Sequence, residues 1–402
     1  MKRLFVGAMA LVLGAVPAMA QSLEDLNIQI HGYATQGFLY TTQNNILTTS
    51  SSNGSPAWTE AVVNLTSQPT PKLRIGVQAR YELLGNLGNA ITLDWASADY
   101  KADERFGVRF GKVKVPSGLF NEIQDIDPSY TWALLPQGAY PITSRNSALS
   151  EYGSVVYGTF KLGAKAGKLE YRGWGGEVVM ASDDGYFINQ REEGISFTNG
   201  LSGVSYGGAL HWRTPLAGLM VGVSDRKDNQ WITAITDYNP GFAYYNLPTT
   251  LPGSEIFNAF NVPEVFAKYE KNKVMVAGEW GRLPVSGMVT LAYLPNQPFR
   301  ADQRDWYGMA TYKVTNKLTA GVYNSQMFDH QMALGPARYS KDWAISGRYD
   351  FNSFLYAKVE QHFIDGTAIG YDYSTNGVTP GTPSAAKYPT TRLTILKLGV
   401  SF

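Results

Sequence analysis

The chain has 402 residues, a formal net charge of +1 at pH 7 and no cysteine. The nearly neutral charge argues against a nucleic-acid-binding protein, and the lack of cysteine excludes a disulfide framework. Tyrosine (25), phenylalanine (18), tryptophan (9) and glycine (41) are abundant while charged residues make up only 17%, a composition typical of many short strands with aromatic side chains at an interface.

The N-terminal residues have the organisation of a secretory signal peptide. The basic pair KR is followed by an apolar run to about Val16 and by the small-residue site AMA before Gln21. This pattern predicts a signal peptide at 1–20 and a mature domain at 21–402. The alternative is a transmembrane anchor, but the apolar run is shorter than the roughly 20 residues of a spanning helix. After Val16 no window approaches 18 uninterrupted apolar residues, which excludes a helical membrane protein.

Alternation of apolar and polar residues recurs along the mature chain, with turn residues between the alternating runs. We count about sixteen antiparallel strands, an even number within the range of bacterial outer-membrane β-barrels. The predicted strands are 28–40, 60–68, 72–82, 90–98, 105–111, 153–162, 168–174, 204–213, 218–224, 263–270, 273–281, 304–314, 317–326, 342–351, 353–363 and 392–402.

The joins between these strands alternate in length. From the second strand onward every other join is short and contains or adjoins the Gly, Pro, Asn or Asp of tight turns, as in QPTP, GAKAG and KN. The remaining joins are mostly long, at 41–59, 175–203, 225–262, 282–303 and 365–391. Short turns at one rim and long loops at the other are typical of an outer-membrane barrel. A soluble propeller or sandwich has no reason to alternate in this way.

The strands also have two chemically different faces. In LRIGVQARY, Leu73, Ile75 and Val77 point one way while Arg74 and Arg80 point the other, and RFGVRFG separates its phenylalanines from its arginines in the same manner. A membrane barrel turns the apolar face to lipid and the polar face to a wet lumen. A soluble barrel does the reverse, and alternation alone does not distinguish the two.

The last strand, LTILKLGVSF, puts Leu396, Leu398, Val400 and Phe402 on one face. An aromatic final residue after alternating apolar positions resembles the terminal signature of Gram-negative outer-membrane proteins, which the barrel-assembly machinery recognises. We therefore predict that Phe402 is an assembly signal. This favours a membrane barrel over the alternative of a soluble exported β protein.

Strand number, loop alternation and the terminal residue together resemble the sixteen-stranded porins, whose third loop folds into the barrel and narrows the channel. The local sequence FGKVKVPSGLFNE also resembles a pattern that follows a strand in phosphate-selective-type and related substrate-selective porins. The matching residues are Phe110, Gly111, Lys114, Pro116, Gly118, Leu119 and Glu122. The resemblance implies an all-β transmembrane antiparallel barrel with an inward-folded third loop, and a homotrimer.

The third long connection, residues 112–152, is the predicted constriction loop. Its apolar residues, such as Phe120 and Trp132, are expected to be buried, and packing against the inner wall of the barrel would bury them. Its acidic residues would then face basic residues of the wall across a narrow water-filled gap and select solutes by charge. The predicted pore-lining residues are Arg74, Arg80, Arg105 and Arg109 on the wall, Lys112 and Lys114 at the loop entrance, Glu122, Asp125 and Asp127 on the loop, and Arg145.

Other interpretations of these residues stay open from the sequence. The arginines could be ordinary solvated groups of the lumen, and Arg145 could reach the pore or only brace the loop. The acidic triad could bind calcium, although its spacing lacks the glycine-centred loop of a calcium site. A barrel enzyme is a further alternative, in which a histidine such as His362 meets a carboxylate such as Asp350, but no catalytic motif is present.

The sequence therefore predicts a non-enzymatic outer-membrane porin, exported by its signal peptide, that lets small hydrophilic solutes diffuse passively and favours anions. The expected partners are outer-membrane lipid and lipopolysaccharide, the barrel-assembly machinery, further copies of the chain in a homotrimer, and the solutes themselves. We predict no nucleic-acid partner, no cofactor and no metal.

Overall fold

The alternating segments of the sequence form strands of a single sheet that closes on itself. The structure, a computed structural model, describes residues 27–48, 50–85, 88–181, 184–369, 376 and 388–402. The predicted signal peptide lies outside the described residues. Among the residues that are described, no helix is both long and apolar enough to cross a bilayer.

The described part of the chain contains nineteen strands and two short α-helices, α1 (Arg145–Leu149) and α2 (Gly185–Glu192). The strands are β1 (Gln29–Thr41), β2 (Ser55–Thr70), β3 (Leu73–Leu84), β4 (Asn89–Lys101), β5 (Gly107–Lys114), β6 (Ser150–Gly163), β7 (Gly167–Met180), β8 (Ile195–Phe197), β9 (Leu201–Arg213), β10 (Leu219–Asp228), β11 (Trp231–Tyr238), β12 (Thr250–Phe257), β13 (Phe260–Lys271), β14 (Val274–Leu291), β15 (Gln297–Lys313), β16 (Leu318–Asp329), β17 (Tyr339–Asp350), β18 (Leu355–Gly366) and β19 (Thr390–Ser401).

Sixteen of the described strands make a closed antiparallel barrel. Each pairs with the next along the chain, except that β7 pairs with β9 and β10 pairs with β13. The ring closes between β1 and β19, where the backbone N–H groups of Gly32 and Phe402 each donate to the other's carbonyl at 3.0 Å. All sixteen predicted strands correspond to barrel strands, so the predicted all-β barrel is confirmed.

The remaining strands, β8, β11 and β12, extend the wall at the long-loop rim. β11 pairs with β8 and with β12, and β12 pairs with the upper half of β14. They enclose an apolar cluster of buried residues, Val178, Met180, Phe187, Phe197, Leu201, Trp231, Ile235, Phe242, Leu251, Phe257 and Leu291.

The prediction of an open loop at 282–303 was wrong. β14 continues to Leu291 and β15 already begins at Gln297, so most of this stretch is paired strand. Pro284 and Gly287 lie within β14, although both residue types are unfavourable inside strands. Here β12 provides a second partner, with Gly253 opposite Leu291, and the hairpin stays extended.

The short turns follow the chemistry expected of them. The β13–β14 connection turns at Asn272, which adopts a positive φ of 55°. Asparagine tolerates this left-handed conformation better than most residues. The turn therefore fits into two residues, as the sequence KN predicted.

The barrel is apolar outside and polar inside, which the alternation alone could not decide. On β18, Val359 is exposed while its neighbours Lys358 and Glu360 are fully buried. On β3, Ile75 is exposed and Arg80 is buried. Apolar side chains thus cover the outer surface and charged ones face the interior, the arrangement of a barrel that sits in lipid.

Candidate functional site

The segment between β5 and β6, residues 115–149, contacts the polar inner face of the wall at several distant strands. We call it the β5–β6 segment. Gly118 N–H donates to Ser224 Oγ on β10 at 3.1 Å. The N–H groups of Ala133 and Leu134 donate to the carboxylate of Glu360 on β18, each at 3.0 Å. The segment is therefore held by side chains from opposite parts of the ring.

Asp127 is a central anchor of this segment. Its buried carboxylate lies 2.6 Å from Lys397 Nζ and 3.0 Å from Lys358 Nζ, and it accepts a hydrogen bond from Tyr356 at 2.7 Å. Burial by itself would raise the pKa of Asp127, but the ammonium groups of Lys358 and Lys397 outweigh it and hold the pKa well below its ordinary value. Asp127 is therefore ionised and fully paired.

Asp125 is a second buried anchor. Its carboxylate lies 2.6 Å from Lys114 Nζ and accepts a hydrogen bond from Gln78 at 2.7 Å. Its backbone carbonyl accepts from the hydroxyl of Tyr33 at 3.0 Å. The sequence predicted acidic and basic groups that face each other across a water-filled gap. Asp125 and Lys114 instead form a direct ion pair.

Arg80 and Arg145 share one carboxylate on β4. Arg145 donates two hydrogen bonds to Asp94, at 2.9 and 3.0 Å, while Arg80 lies 3.7 Å from the same carboxylate and 2.7 Å from Glu82. Both arginines are almost fully buried. Of the two roles that the sequence left open for Arg145, the geometry matches the bracing one, since α1 is fixed to the wall through it.

Glu122 differs from the other two acidic residues because it stays accessible. Its side chain is 32% exposed, and it lies 3.6 Å from Arg109 and 3.3 Å from Arg172, which are 26% and 21% exposed. Arg109 also pairs with Asp99 at 3.3 Å, and Arg172 lies 3.5 Å from Glu170. We call Glu122, Arg109 and Arg172 the accessible charge cluster. These charges remain accessible on the inner face of the wall.

A carboxylate on β14 holds the tip of the β5–β6 segment. Glu279 accepts hydrogen bonds from the hydroxyls of Tyr140 at 2.5 Å and Tyr307 at 2.8 Å. Burial, with Glu279 alongside, raises the pKa of Tyr140 well above its ordinary value, so the hydroxyl keeps its proton and donates. Gly118 adjoins this group with a φ of +64°, and a Cβ there would lie 2.5 Å from Glu279 Oε1. Glycine is therefore required at the tip for two independent reasons.

Apolar packing completes the attachment. Phe120, Trp132 and Leu135 of the segment are buried together with Tyr307 and Tyr323 of the wall. The predicted burial of these apolar residues is thus observed. Ile126 is an exception and remains exposed.

Two predicted pore residues lie elsewhere. Arg105 sits in the exposed turn between β4 and β5, because β5 begins only at Gly107. Lys112 stands opposite Tyr152, whose side chain is exposed on the outer surface, and its Nζ lies 5.5 Å from the Tyr152 ring centre. Directly opposite residues share a face, so Lys112 is on the outside of the wall and not at the loop entrance. Arg74 lies on the inner-facing side of β3 close to the short-turn rim and is exposed.

Several important wall residues were not predicted from the sequence. Arg172, Lys358, Lys397 and Glu360 contact the β5–β6 segment directly. The alternation in LYAKVEQHF already put Lys358, Glu360 and His362 on one polar face, which was the available signal. His362 lies between Asp342 at 2.8 Å and Glu360 at 2.9 Å, whereas the carboxylate suggested for it, Asp350, pairs with Arg348.

Comparison with known proteins bears on the fold. No protein-family model matches the sequence, and no curated protein matches it. Among solved structures, OmpF of Salmonella typhi in complex with daunomycin superposes with a TM-score of 0.55 at 14% identity, over 95% of this chain and 99% of that one. The anion-selective porin from Comamonas acidovorans gives a TM-score of 0.53 at 9% identity, over 94% and 99%. The chain has the fold of the outer-membrane porins.

A trimer form of OmpT, an outer membrane protein of Vibrio cholerae, also superposes, with a TM-score of 0.52 at 12% identity over 94% of this chain and 99% of that one. The porin fold agrees with the closed ring of sixteen strands described above, which the sequence resemblance implied. At such low identities the likeness concerns the architecture of the barrel.

Proposed function

We propose that the protein is an outer-membrane porin, a water-filled channel for the passive diffusion of small hydrophilic solutes. The observation that carries this proposal is the inverted wall, with exposed apolar side chains outside and accessible charges such as Glu122 and Arg172 inside. A closed barrel with a charged interior provides a continuous polar surface for water and solutes across a bilayer.

The β5–β6 segment is, in this proposal, the constriction of the channel. Its contacts with β10, β14, β18 and β19 support this proposal, because these strands belong to distant parts of the ring. Asp125 and Asp127 are neutralised by lysines, so they do not oppose the entry of anions. Arg109 and Arg172 remain accessible and support a modest anion preference, which Glu122 limits.

We also propose export by the predicted signal peptide, insertion by the barrel-assembly machinery and assembly as a homotrimer. Lys112 supports the last point. It is the sixth residue of β5 and lies near the middle of an apolar band roughly 25 Å tall. A lysine facing lipid at that depth costs about 2–4 kcal/mol, whereas a neighbouring copy could cover it.

The test is planar-bilayer conductance of the detergent-purified mature protein under a salt gradient. We expect stable ohmic steps and a reversal potential of the sign that indicates anion preference. Arg109→Ala should move the reversal potential toward cation preference. Folded, heat-modifiable protein that gives no conductance would overturn the channel proposal.

The alternative of a barrel enzyme rests on His362, which two carboxylates flank. Its ring is completely buried, so a substrate in the lumen does not reach either nitrogen. We propose that His362 is structural and that the protein is not an enzyme. Phospholipid and peptide hydrolysis by wild type but not by His362→Ala, with unchanged conductance, would favour the enzyme instead.

A further inference from the structure

Three buried polar residues on the inner face of the wall lack the partners that burial normally requires. Glu151 lies on β6, Ser205 on β9 and Asp228 on β10, and all three are 0% exposed. Both carboxylate oxygens of Glu151, Oδ1 of Asp228 and Oγ of Ser205 make no hydrogen bond within the described part of the chain. Burying an ionised carboxylate in this way is costly unless an opposite charge pairs with it. We call these three residues the Glu151 group.

The strand register brings the Glu151 group together at the long-loop end of the barrel. Ser205 stands directly opposite Asp228 on one neighbouring strand and opposite Gly176 on the other. Gly176 in turn pairs with Gly153 of β6, so this row carries no side chain between β6 and Ser205. The hydroxyl of Ser205 lies beside both carboxylates but is not aligned for a hydrogen bond with either. The four unpaired oxygen atoms are therefore neighbours.

The positive charge beside the group does not balance its negative charge. Arg226 donates through Nε to Oδ2 of Asp228 at 3.0 Å, which pairs the fourth carboxylate oxygen of the group. Glu151 has no ion-pair partner among the residues that the structure describes. Two carboxylates and one guanidinium thus leave one negative charge uncompensated. The side chain of Arg226 is 19% exposed, so this edge of the group borders the accessible interior.

Two tryptophans cover the group on the inner face. A Cβ at Gly203 would meet the ring of Trp231, and a Cβ at Gly207 would meet the ring of Trp174. The two indoles therefore lie over the positions on either side of Ser205. Neither indole nitrogen has a hydrogen-bond partner in the part of the chain that is described, so neither N–H neutralises a carboxylate. Apolar rings that exclude water strengthen the attraction of the carboxylates for a cation.

We propose that Glu151, Ser205 and Asp228 bind a calcium ion. Calcium takes about six to eight oxygen ligands in a flexible arrangement, and the group supplies four, with water left to complete the shell. Magnesium fits less well because it demands a nearly ideal octahedron. A proton on Glu151 would neutralise one charge but leave most of the four oxygen atoms without a partner. This inference departs from the sequence-based expectation of no metal, and it does not depend on the channel function.

The ion would fix the beginning of β6 to the wall. β6 begins at Ser150, directly after α1, so Glu151 lies where the β5–β6 segment returns to the sheet. An ion shared with Ser205 and Asp228 would join β6 to β9 and β10 across β7. Because Arg226 repels a cation, we expect a weak site, with a dissociation constant of about 10⁻⁴–10⁻³ M.

The experiment uses the full mature protein refolded in detergent without lipopolysaccharide, so that no lipid phosphate binds the metal. Terbium occupies the oxygen sites that calcium prefers, and it emits when a nearby tryptophan transfers excitation energy to it. We expect sensitised terbium emission that Ca²⁺ displaces and that Mg²⁺ displaces at least about tenfold less effectively. Trp174→Phe together with Trp231→Phe should lower the emission but leave the displacing concentration of Ca²⁺ unchanged.

Two variants test the carboxylates. Glu151→Gln and Asp228→Asn each keep the shape of the side chain and should weaken Ca²⁺ binding at least about tenfold, because affinity depends on ligand charge. The matched control is Asp225→Asn, since this exposed carboxylate lies on the outward face of β10 and accepts from Asn261 at 2.9 Å. It should bind Ca²⁺ as wild type does.

Urea unfolding provides a second measurement that does not use terbium. Ca²⁺ should raise the urea midpoint of wild type but not that of Glu151→Gln. In EDTA the variant should be at least as stable as wild type, because glutamine carries no buried charge.

The proposal is overturned if wild type shows neither sensitised terbium emission nor a Ca²⁺-dependent shift of its urea midpoint, since a proton on Glu151 then suffices. It is equally overturned if Glu151→Gln and Asp228→Asn, both heat-modifiable like wild type, keep wild-type affinity for Ca²⁺. Equal displacement of terbium by Mg²⁺ would contradict the assignment of calcium.

Discussion

Glu122 is the member of the predicted acidic triad whose side chain stays accessible, at 32% exposed. Replacing it by glutamine removes the carboxylate between Arg109 and Arg172 and keeps the shape of the side chain. We expect Glu122→Gln to increase the anion-to-cation permeability ratio by about two- to threefold, because two guanidinium charges lose their shared partner. The reversal potential in a salt gradient measures this ratio.

Glu104→Gln is the matched control, because this carboxylate is exposed in the β4–β5 turn and pairs with Lys161. It should leave the ratio unchanged. An equal shift in both variants would mean that the accessible charge cluster does not select ions.

The ion pairs of Asp127 should contribute to the free energy of unfolding. Asp127→Asn leaves Lys358 buried without an anion and Lys397 with only Glu60, 3.9 Å away, and breaking a buried pair in this way costs about 3–5 kcal/mol. Urea unfolding, monitored by heat-modifiability, should show this loss of stability. Replacing both lysines by methionine together with Asp127→Asn should restore part of it, because the two unpaired ammonium groups are then removed and Glu60 keeps Arg80 at 3.6 Å.

The same residue gives a pH dependence. The pKa of Asp127 is depressed in the folded protein, so its contribution is complete above the unfolded pKa of about 3.9 and is lost as pH falls toward the folded pKa. The stability difference between wild type and Asp127→Asn should therefore be constant from neutral pH to about pH 5 and shrink at lower pH. A difference that grows on acidification would contradict the assignment of Asp127 as the ionised anchor.

At the scale of the element, the β5–β6 segment depends on its tip. In Gly118→Ala the new Cβ would have an unfavourable positive φ and would lie too close to Glu279. We expect this to destabilise the attachment of the tip to the wall by about 1–2 kcal/mol or more. We expect noisier single-channel current with little change in barrel stability. The control is Gly163→Ala, which has a φ of +96° but open space around the new Cβ. If both variants gave equally noisy current, the contact between the new Cβ and Glu279 would not be the cause of the noise.

The elements were predictable to different degrees. The sixteen barrel strands follow from alternation and turn residues, since both signals are local. β11 and β12 were hidden in a long join, because their pairing depends on β14 and β8, which are distant in the sequence. Lys112 was misplaced because the alternation of β5 was not followed beyond its start.

The ion pairs could not be derived from the sequence at all. Asp127 and Lys358 are 231 residues apart, and their contact depends on the register of every strand between β5 and β18. The sequence identified acidic residues on a half-apolar loop, which was sufficient to suggest contact with a basic wall. Which carboxylate would be buried and which would stay accessible depended on the packing of Trp132 and Phe120.

At the scale of the whole molecule, the charged residues on the outer surface bear on how copies of the chain assemble. If a neighbouring copy covers Lys112, then Lys112→Glu should weaken the trimer, because Glu177 continues the same outward row beyond Tyr152 and adds like charge. Sedimentation in detergent should show trimers for wild type and mostly monomers for the variant. Lys161→Glu, at the short-turn rim, should remain trimeric. Wild-type protein that sediments as a monomer would contradict the trimer.

The closure of the ring between β1 and β19 also links the sheet to the attachment of the β5–β6 segment. Until the last strand arrives, both ends of the sheet carry unpaired backbone groups that lipid cannot satisfy. The two lysines that hold Asp127 belong to β18 and β19, the final strands to be made. The Asp127 anchor of the β5–β6 segment is therefore complete only when the ring closes, whereas Asp125 and Arg145 already pair with residues of β3, β4 and β5. The last hairpin of the wall thus completes both the sheet and the attachment of this segment.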